Sequence, residues 1–233
     1  MKVKILVTGG DGRFASILKK KNKLLNLVFL TKSQCNILNF QSIIKCIKKY
    51  KPSALFHCAG LSRPMKIHKN NISKSINLNI IGTANIVKAC EKFNIKLIYL
   101  SSGYVYEGIK GNYSEKDGVK PFNNYGWSKL GGECSANMYK NSLILRVTMT
   151  EKPFRFKSAY TNLISNFMYH EDFVDLLPKL LKRKGVINVG GKTQSVYKFV
   201  KNNNPNVKKS KLKKTSNFPL KQSMNLSKMK KLI

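Results

Sequence analysis

The feature that most restricts the fold is a glycine-rich turn seated between two unlike segments. An apolar run, Val3 to Val7, enters Thr8-Gly9-Gly10-Asp11-Gly12-Arg13-Phe14-Ala15, and a stretch that can be helical, Phe14 to Lys20, follows. A strand that enters a tight glycine turn and leaves as a helix is the context a dinucleotide-binding fingerprint requires. Gly9 and Gly12 permit the turn and the close approach of backbone to a pyrophosphate, while the helix offers unpaired N–H groups and a positive dipole end. Ala15 takes the third small-residue position. Alone, a Gly-rich turn is more often an ordinary turn, so the motif needs support elsewhere.

The rest of the chain supplies an architecture for it. Val3–Val7, Leu27–Leu30, Ala54–His57, Leu97–Leu100 and Leu143–Val147 read as strands, and between them Phe14–Lys20, Gln41–Lys49, Ser75–Phe93 and Tyr125–Tyr139 read as helices. Strands alternating with helices at this spacing imply right-handed crossovers and a parallel sheet covered on both faces. The expected fold is therefore α/β, a doubly wound parallel sheet of the Rossmann kind, with ligands bound beyond the carboxyl ends of the strands. Residues 1–150 are expected to form the dinucleotide-binding domain. Over residues 151–233 the signal weakens to a helix at Asp172–Leu181, a strand at Val186–Val189 and a helix at Ser195–Val200. Lys208 to Lys214 reads as a solvated or mobile charge run.

A second motif adds chemistry. Tyr125 and Lys129 are four apart in a segment without proline, which places them on one face of a helix. A phenol beside an ammonium is a tuned acid, since the positive charge favours phenolate and lowers the Tyr pKa from about 10. About twenty residues beyond the glycine turn an NAD site would place an acid on the ribose 2′-OH. This chain has none: after Asp11 the next carboxylate in sequence is Glu91. Lys32, between Thr31 and Ser33, offers a cation and hydroxyls that suit a 2′-phosphate, so NADP(H) is preferred and NAD(H) is the alternative.

Composition narrows the partners. The chain has 233 residues, 42% of them apolar, enough for a core of its own. It shows no apolar run long enough to cross a bilayer and no signal-peptide pattern before Val3, so a cytoplasmic protein without membrane attachment is the expectation. Five cysteines without C-x-x-C pairing read as free thiols. His57, His68 and His170 lack metal-ligand spacing, and no metal is expected. A formal charge of +34 raises the question of nucleic acid, but only Arg13, Arg63, Arg146, Arg155 and Arg183 are arginines and the lysines are scattered. Base readers favour arginine forks. The expectation is no specific nucleic acid, only salt-sensitive attraction to polyanions.

These motifs carry a resemblance. Thr-Gly-x-x-Gly-x-x-Ala at 8–15, His57-Cys58-Ala59-Gly60, Asn79-Ile80-Ile81-Gly82-Thr83, Ser101-Ser102-Gly103-Tyr104-Val105-Tyr106, and Pro121 through Tyr125, Ser128, Lys129 and Glu133 occur in the order of the extended short-chain dehydrogenase/reductase family. Within it the chain is most similar to dTDP-4-dehydrorhamnose reductase-like sugar-nucleotide reductases. The resemblance implies Ser102, Tyr125 and Lys129 as catalytic residues, with Ser102 and Tyr104 on the substrate. It places the cofactor against Gly9, Asp11, Gly12, Arg13, Phe14, Lys32, Asn36, Ile37, Cys58, Ala59, Gly60 and Ser62, together with Tyr125 and Lys129. The implied activity is NADPH-dependent reduction of a nucleotide-linked 4-keto-6-deoxysugar. An NAD-dependent epimerase and a non-catalytic NADP-binding partner subunit are the alternatives, and a homodimer is among the assemblies it allows. Dehydration is disfavoured, because Gly103 stands where the dehydratases carry a carboxylate. The resemblance also implies that residues 151–233 form a reduced substrate-binding lobe interleaved with the main domain, and the chain is shorter than the family pattern between Arg146 and His170, which bears on substrate identity.

Overall fold

Strand residues in this chain bury alternately to two opposite sides, and that alternation explains the architecture. In a computed structural model, which describes residues 4–213 and 218–233, six parallel strands form the central sheet: β1 (Lys4–Thr8), β2 (Asn26–Leu30), β3 (Ala54–His57), β4 (Lys96–Ser102), β5 (Ser142–Val147) and β6 (Gly185–Val189). Ile5, Val7, Ala54, Phe56, Ile98, Leu143 and Leu145 join one core, while Leu6, Leu55, Leu97, Tyr99 and Ile144 join another. A strand covered on both faces has no polar side to show, which is why these segments read as unbroken apolar runs.

Helices α1 (Arg13–Lys21) and α6 (His170–Leu180) cover the first face, with Phe14, Leu18, Phe173 and Leu177 in its core. The other face is covered by α2 (Phe40–Tyr50), α4 (Gly82–Lys92) and α5 (Asn124–Asn137), through residues such as Ile43, Ile47, Ile86 and Ala136. The sheet order is β6-β5-β4-β3-β1-β2. It reverses direction of growth between β1 and β3, and a crevice opens at such a switch point beyond the strand ends.

Two expectations about elements change. The helix read from Ser75 begins earlier, at α3 (Ile72–Ile76), and passes through a wide π turn, Asn77–Ile81, before α4. Wide turns of this kind cluster at functional sites, and this one carries Asn79. Residues Lys208–Ser210 of the expected charge run form a short parallel ladder with Ser158–Tyr160, so the backbone is paired while Lys208 and Lys209 face solvent. Lys214 and Val3 lie outside the described residues. Cys35, Cys46 and Cys90 are buried and all five thiols are free, although Cys134 is exposed.

Residues beyond 150 contribute both to the main sheet, through β6, and to a separate small core of Ala159, Leu163, Tyr169, Val196, Phe199, Val200 and Val207. The polypeptide thus starts the satellite cluster, returns to the main sheet at β6 and then completes the cluster. Among the described residues no helix is long and apolar enough to cross a membrane.

Candidate active site

The carboxyl ends of β1, β3 and β4 bring the sequence motifs to one edge of the sheet. Gly9 turns the chain at φ +70°, and a Cβ there would stand 2.7 Å from Ala59 Cα. Only glycine serves both needs, the left-handed backbone and the contact with the loop after β3. Gly12 N–H donates to Gly9 O (2.8 Å) and closes the turn, and Gly10 N–H donates to Leu30 O (2.8 Å), which ties the turn to the end of β2. Gly12 then precedes α1 in an extended conformation without a side-chain cap, and no acidic residue stands in the first turn. The glycine cradle and uncapped helix end fit a dinucleotide diphosphate.

Below this turn the floor is neutral. His57 is buried, with Nδ1 2.8 Å from Thr8 Oγ1 and Nε2 3.1 Å from Thr83 Oγ1. Burial, reinforced by the nearby Lys129 charge, pushes its pKa down to about 3. The Thr8 hydroxyl also accepts from Ala59 N–H (3.3 Å), so one threonine and one histidine fix the β3 exit against β1.

The loop after β3 is pinned from the other side by Asn79. Its Oδ1 accepts from Leu61 N–H (2.7 Å), and its Nδ2 donates to Leu61 O (2.8 Å) and Ser128 Oγ (2.8 Å). The wide π turn and α5 therefore hold one loop in register through a single buried amide.

Ser102 ends β4, and Tyr125 and Lys129 lie one turn apart on α5. Asn123 caps α5 by accepting from Gly126 N–H (2.8 Å). Gly126 is required beside Tyr125, because a Cβ would collide with the Tyr104 carbonyl oxygen. The Ser102 hydroxyl accepts from Tyr104 N–H (3.2 Å) and lies near enough to Tyr125 to favour its phenolate. Tyr104 and Tyr125 meet edge to face with ring centroids 5.8 Å apart, and His68 flanks Tyr125 on another side at 5.1 Å.

The electrostatics reverse one expectation. Burial raises the Tyr125 pKa above that of an ordinary phenol, and the groups that pull it down are Ser102, Arg63 and Arg13. Lys129 is itself buried, its ammonium 4.3 Å from the centre of the Tyr99 ring. Burial lowers the Lys129 pKa to about 8, against the opposing pull of Glu133 and Cys58. The four-residue spacing identified the pair but could not weigh desolvation against charge.

The other expected residues fall in three settings. Asp11, Lys32 and Ser62 are exposed, and Lys32 lies in the turn that Thr31 N–H closes onto Gln34 Oε1 (2.9 Å). Asn36, Cys58 and Ala59 are half-buried, and Gly60 approaches Asn79 so closely that a Cβ would stand 2.9 Å from its Oδ1. Phe14 and Ile37 belong to the core. Phe14 packs among Phe56, His170 and Phe173, and Ile37 lies against Gly82.

Sequence reasoning missed a group at the mouth. Glu151 accepts from Arg13 Nη1 (2.8 Å) and from Arg63 Nη1 (2.9 and 3.1 Å to its two oxygens), while Arg13 Nη2 donates to Ser62 Oγ (3.0 Å). Rarity was the available signal. Arginine is scarce in this lysine-rich chain, and two of its five arginines follow β1 and β3.

Comparison with known proteins places this geometry. A model described as RmlD substrate binding domain matches residues 3–172. A dTDP-4-dehydrorhamnose reductase of Aggregatibacter actinomycetemcomitans is 25% identical over 202 residues, covering 82% of this chain and 63% of that protein. Methionine adenosyltransferase 2 subunit beta of Danio rerio is 35% identical over 100 residues, covering 43% of this chain and 30% of that protein. The chain thus spans less than two thirds of these relatives. Among solved structures, a dTDP-4-dehydrorhamnose reductase from Bacillus anthracis str. Ames in complex with NADP superposes with a TM-score of 0.88 at 20% identity, covering 99% of this chain and 92% of that one.

Proposed function

From its place in the RmlD substrate binding domain family, to which this chain belongs, we propose that it is an NADPH-dependent reductase of a nucleotide-linked 4-keto-6-deoxysugar. The observation that carries this reading is the convergence of Ser102 and Tyr125 around Tyr104, whose N–H donates to Ser102 and whose ring meets Tyr125, at the strand edge that also bears the glycine turn. A bound nicotinamide supplies hydride to a substrate carbonyl carbon. The chain's own part is to hold that carbonyl oxygen and protonate it. Ser102 donates a hydrogen bond to the oxygen, and Tyr125 transfers its phenolic proton to it as negative charge develops. Arg63 and Arg13 favour the phenolate left behind, offsetting part of the cost of burial. Lys129, charged at neutral pH with a pKa of about 8, would hold the ribose of a bound nicotinamide.

NADP(H) is favoured over NAD(H) because the segment after β2, Thr31 to Asn39, contains no carboxylate and offers Lys32. Support comes also from the NADP complex of the Bacillus anthracis relative. The expected test is NADPH and NADH oxidation with a panel of 4-keto-6-deoxy nucleotide sugars. Tyr125→Phe should bind cofactor as the parent does and turn over roughly 10²- to 10⁴-fold more slowly. A Tyr125→Phe variant at full rate would remove Tyr125 as the acid.

A second reading has an observation of its own, the 35% identity to a methionine adenosyltransferase subunit over 100 residues. In that case the chain binds NADP as a non-catalytic partner subunit. A folded parent that binds NADPH, oxidises it with no sugar in the panel and purifies with a stable protein partner would favour it.

A further inference from the structure

Three separate strand exits converge on one carboxylate. Arg13 opens α1 after β1, Ser62 and Arg63 follow β3, and Glu151 follows β5 by way of Met149–Thr150. Arg63 meets both Glu151 oxygens and Arg13 meets one, so the carboxylate occupies a fork made by two guanidinium groups. Two neighbouring oxygens held by arginine is also how a phosphate is held. The two arginines outnumber the one acid, so the cluster keeps a net positive charge after its internal pairing. Its members are partly open to solvent, with side-chain exposures of 43% for Arg13, 28% for Arg63 and 24% for Glu151.

Such a pair is easily exchanged. Ion pairs open to water contribute at most about 1 kcal/mol, so an incoming anion of higher charge can take the place of the glutamate. The position is also suitable, since Arg13 is the first residue of the helix whose end and glycine turn fit a diphosphate. Burial by itself would raise the Glu151 pKa, but a backbone N–H, Arg63 and Arg13 outweigh it, so the carboxylate stays charged and competes at neutral pH.

We infer that Arg13, Ser62 and Arg63 form a phosphate clamp whose ligand is a diphosphate, and that Glu151 is an internal stand-in which the diphosphate displaces. The inference rests on the dinucleotide reading of the turn in its placement, but its chemistry can be tested apart from it. The diphosphate belongs either to the cofactor or to the nucleotide half of the substrate. Both present the same oxygens to the fork.

Calorimetric titration of the full chain with NADPH, with thymidine diphosphate and with inorganic pyrophosphate separates the sources. Glu151→Gln removes the competing charge and should tighten at least one of the three by roughly tenfold. Arg63→Met and Arg13→Met should weaken the same ligand by roughly 10- to 100-fold, the range of a hydrogen bond to a charged group. In the double variant Arg63→Met/Glu151→Gln, most of the gain from Glu151→Gln should vanish, because the two residues act through one contact. A response confined to NADPH assigns the clamp to the cofactor, and one confined to thymidine diphosphate assigns it to the substrate. If pyrophosphate responds and NADPH does not bind at all, the clamp stands and the reductase reading fails. If Glu151→Gln changes none of the three affinities by more than about twofold, or weakens them, while the variants unfold at the parent's temperature, there is no clamp.

Discussion

Two carboxylate–arginine sites in this molecule have similar contacts and opposite settings. Glu133 and Arg146 are 5% and 6% exposed, and the Glu133 oxygens accept from Ser101 Oγ (2.6 Å), Arg146 Nε (3.0 Å) and Arg146 Nη2 (2.6 Å). Arg146 continues to the Tyr106 hydroxyl (2.6 Å), which reaches Asn188 Oδ1 (2.9 Å) on β6. That chain links α5, β4, β5 and β6 behind the Ser102–Tyr125 pair. Glu151 and its two arginines instead bridge loops at the mouth, half in water. A charge sealed among satisfied partners resists exchange, because removing either member strands the other in low dielectric. The same contacts in water are weak and replaceable. One pair is suited to fixing the frame of the site, the other to being displaced by a ligand.

The largest effect should come from breaking the interior pair. Glu133→Ala leaves Arg146 charged and buried, and urea unfolding should show a loss of about 3–5 kcal/mol. A loss below about 1 kcal/mol would mean that water reaches Arg146, and the contrast with the mouth would disappear.

His57 sharpens the comparison by titration. It is neutral in the folded chain, with a pKa near 3, whereas an unfolded histidine takes up its proton near 6.5. Between those values the unfolded state binds the extra proton, so stability falls as pH falls through the window, by about 1.4 kcal/mol for each unit. The difference in unfolding free energy between the parent and His57→Gln, measured from pH 7 down, should carry that slope. A flat difference would show that the buried floor opens to solvent before it titrates.

The smallest effect belongs to the mouth. Glu151→Gln should change the unfolding free energy by no more than about 1 kcal/mol, measured in the same urea series, even where it changes ligand affinity. A loss as large as that of Glu133→Ala would make Glu151 a structural residue and leave no room for displacement.

The frame of the site was legible because its determinants are local. The glycine turn, the five first strands, the helix that carries Tyr125 and Lys129, and the sixth strand at Gly185–Val189 all follow from periodicities or spacings of a few residues. The π turn was not legible, since its apolar pattern is that of an ordinary helix and the reason for widening lies elsewhere, in Leu61 and Ser128 held by Asn79. Phe14 shows the same limit. Its place in the motif points to the cofactor, but its partners Phe56 on β3 and His170 and Phe173 on α6 come from two distant segments and draw the ring into the core.

The sequence by itself determined which residues can turn, strand and coil, and therefore that Ser102, Tyr125 and the glycine turn reach one sheet edge. Only the tertiary structure decided how they are charged. Arg63 meets Glu151 across 88 positions and Arg13 meets it across 138, distances over which no periodicity constrains a pair. The Tyr125 phenol was expected to acidify beside Lys129, yet burial raises its pKa while the lysine stands over Tyr99. Spacing along a helix specifies neighbours, whereas the free energy of a charge depends on how much water every surrounding segment removes.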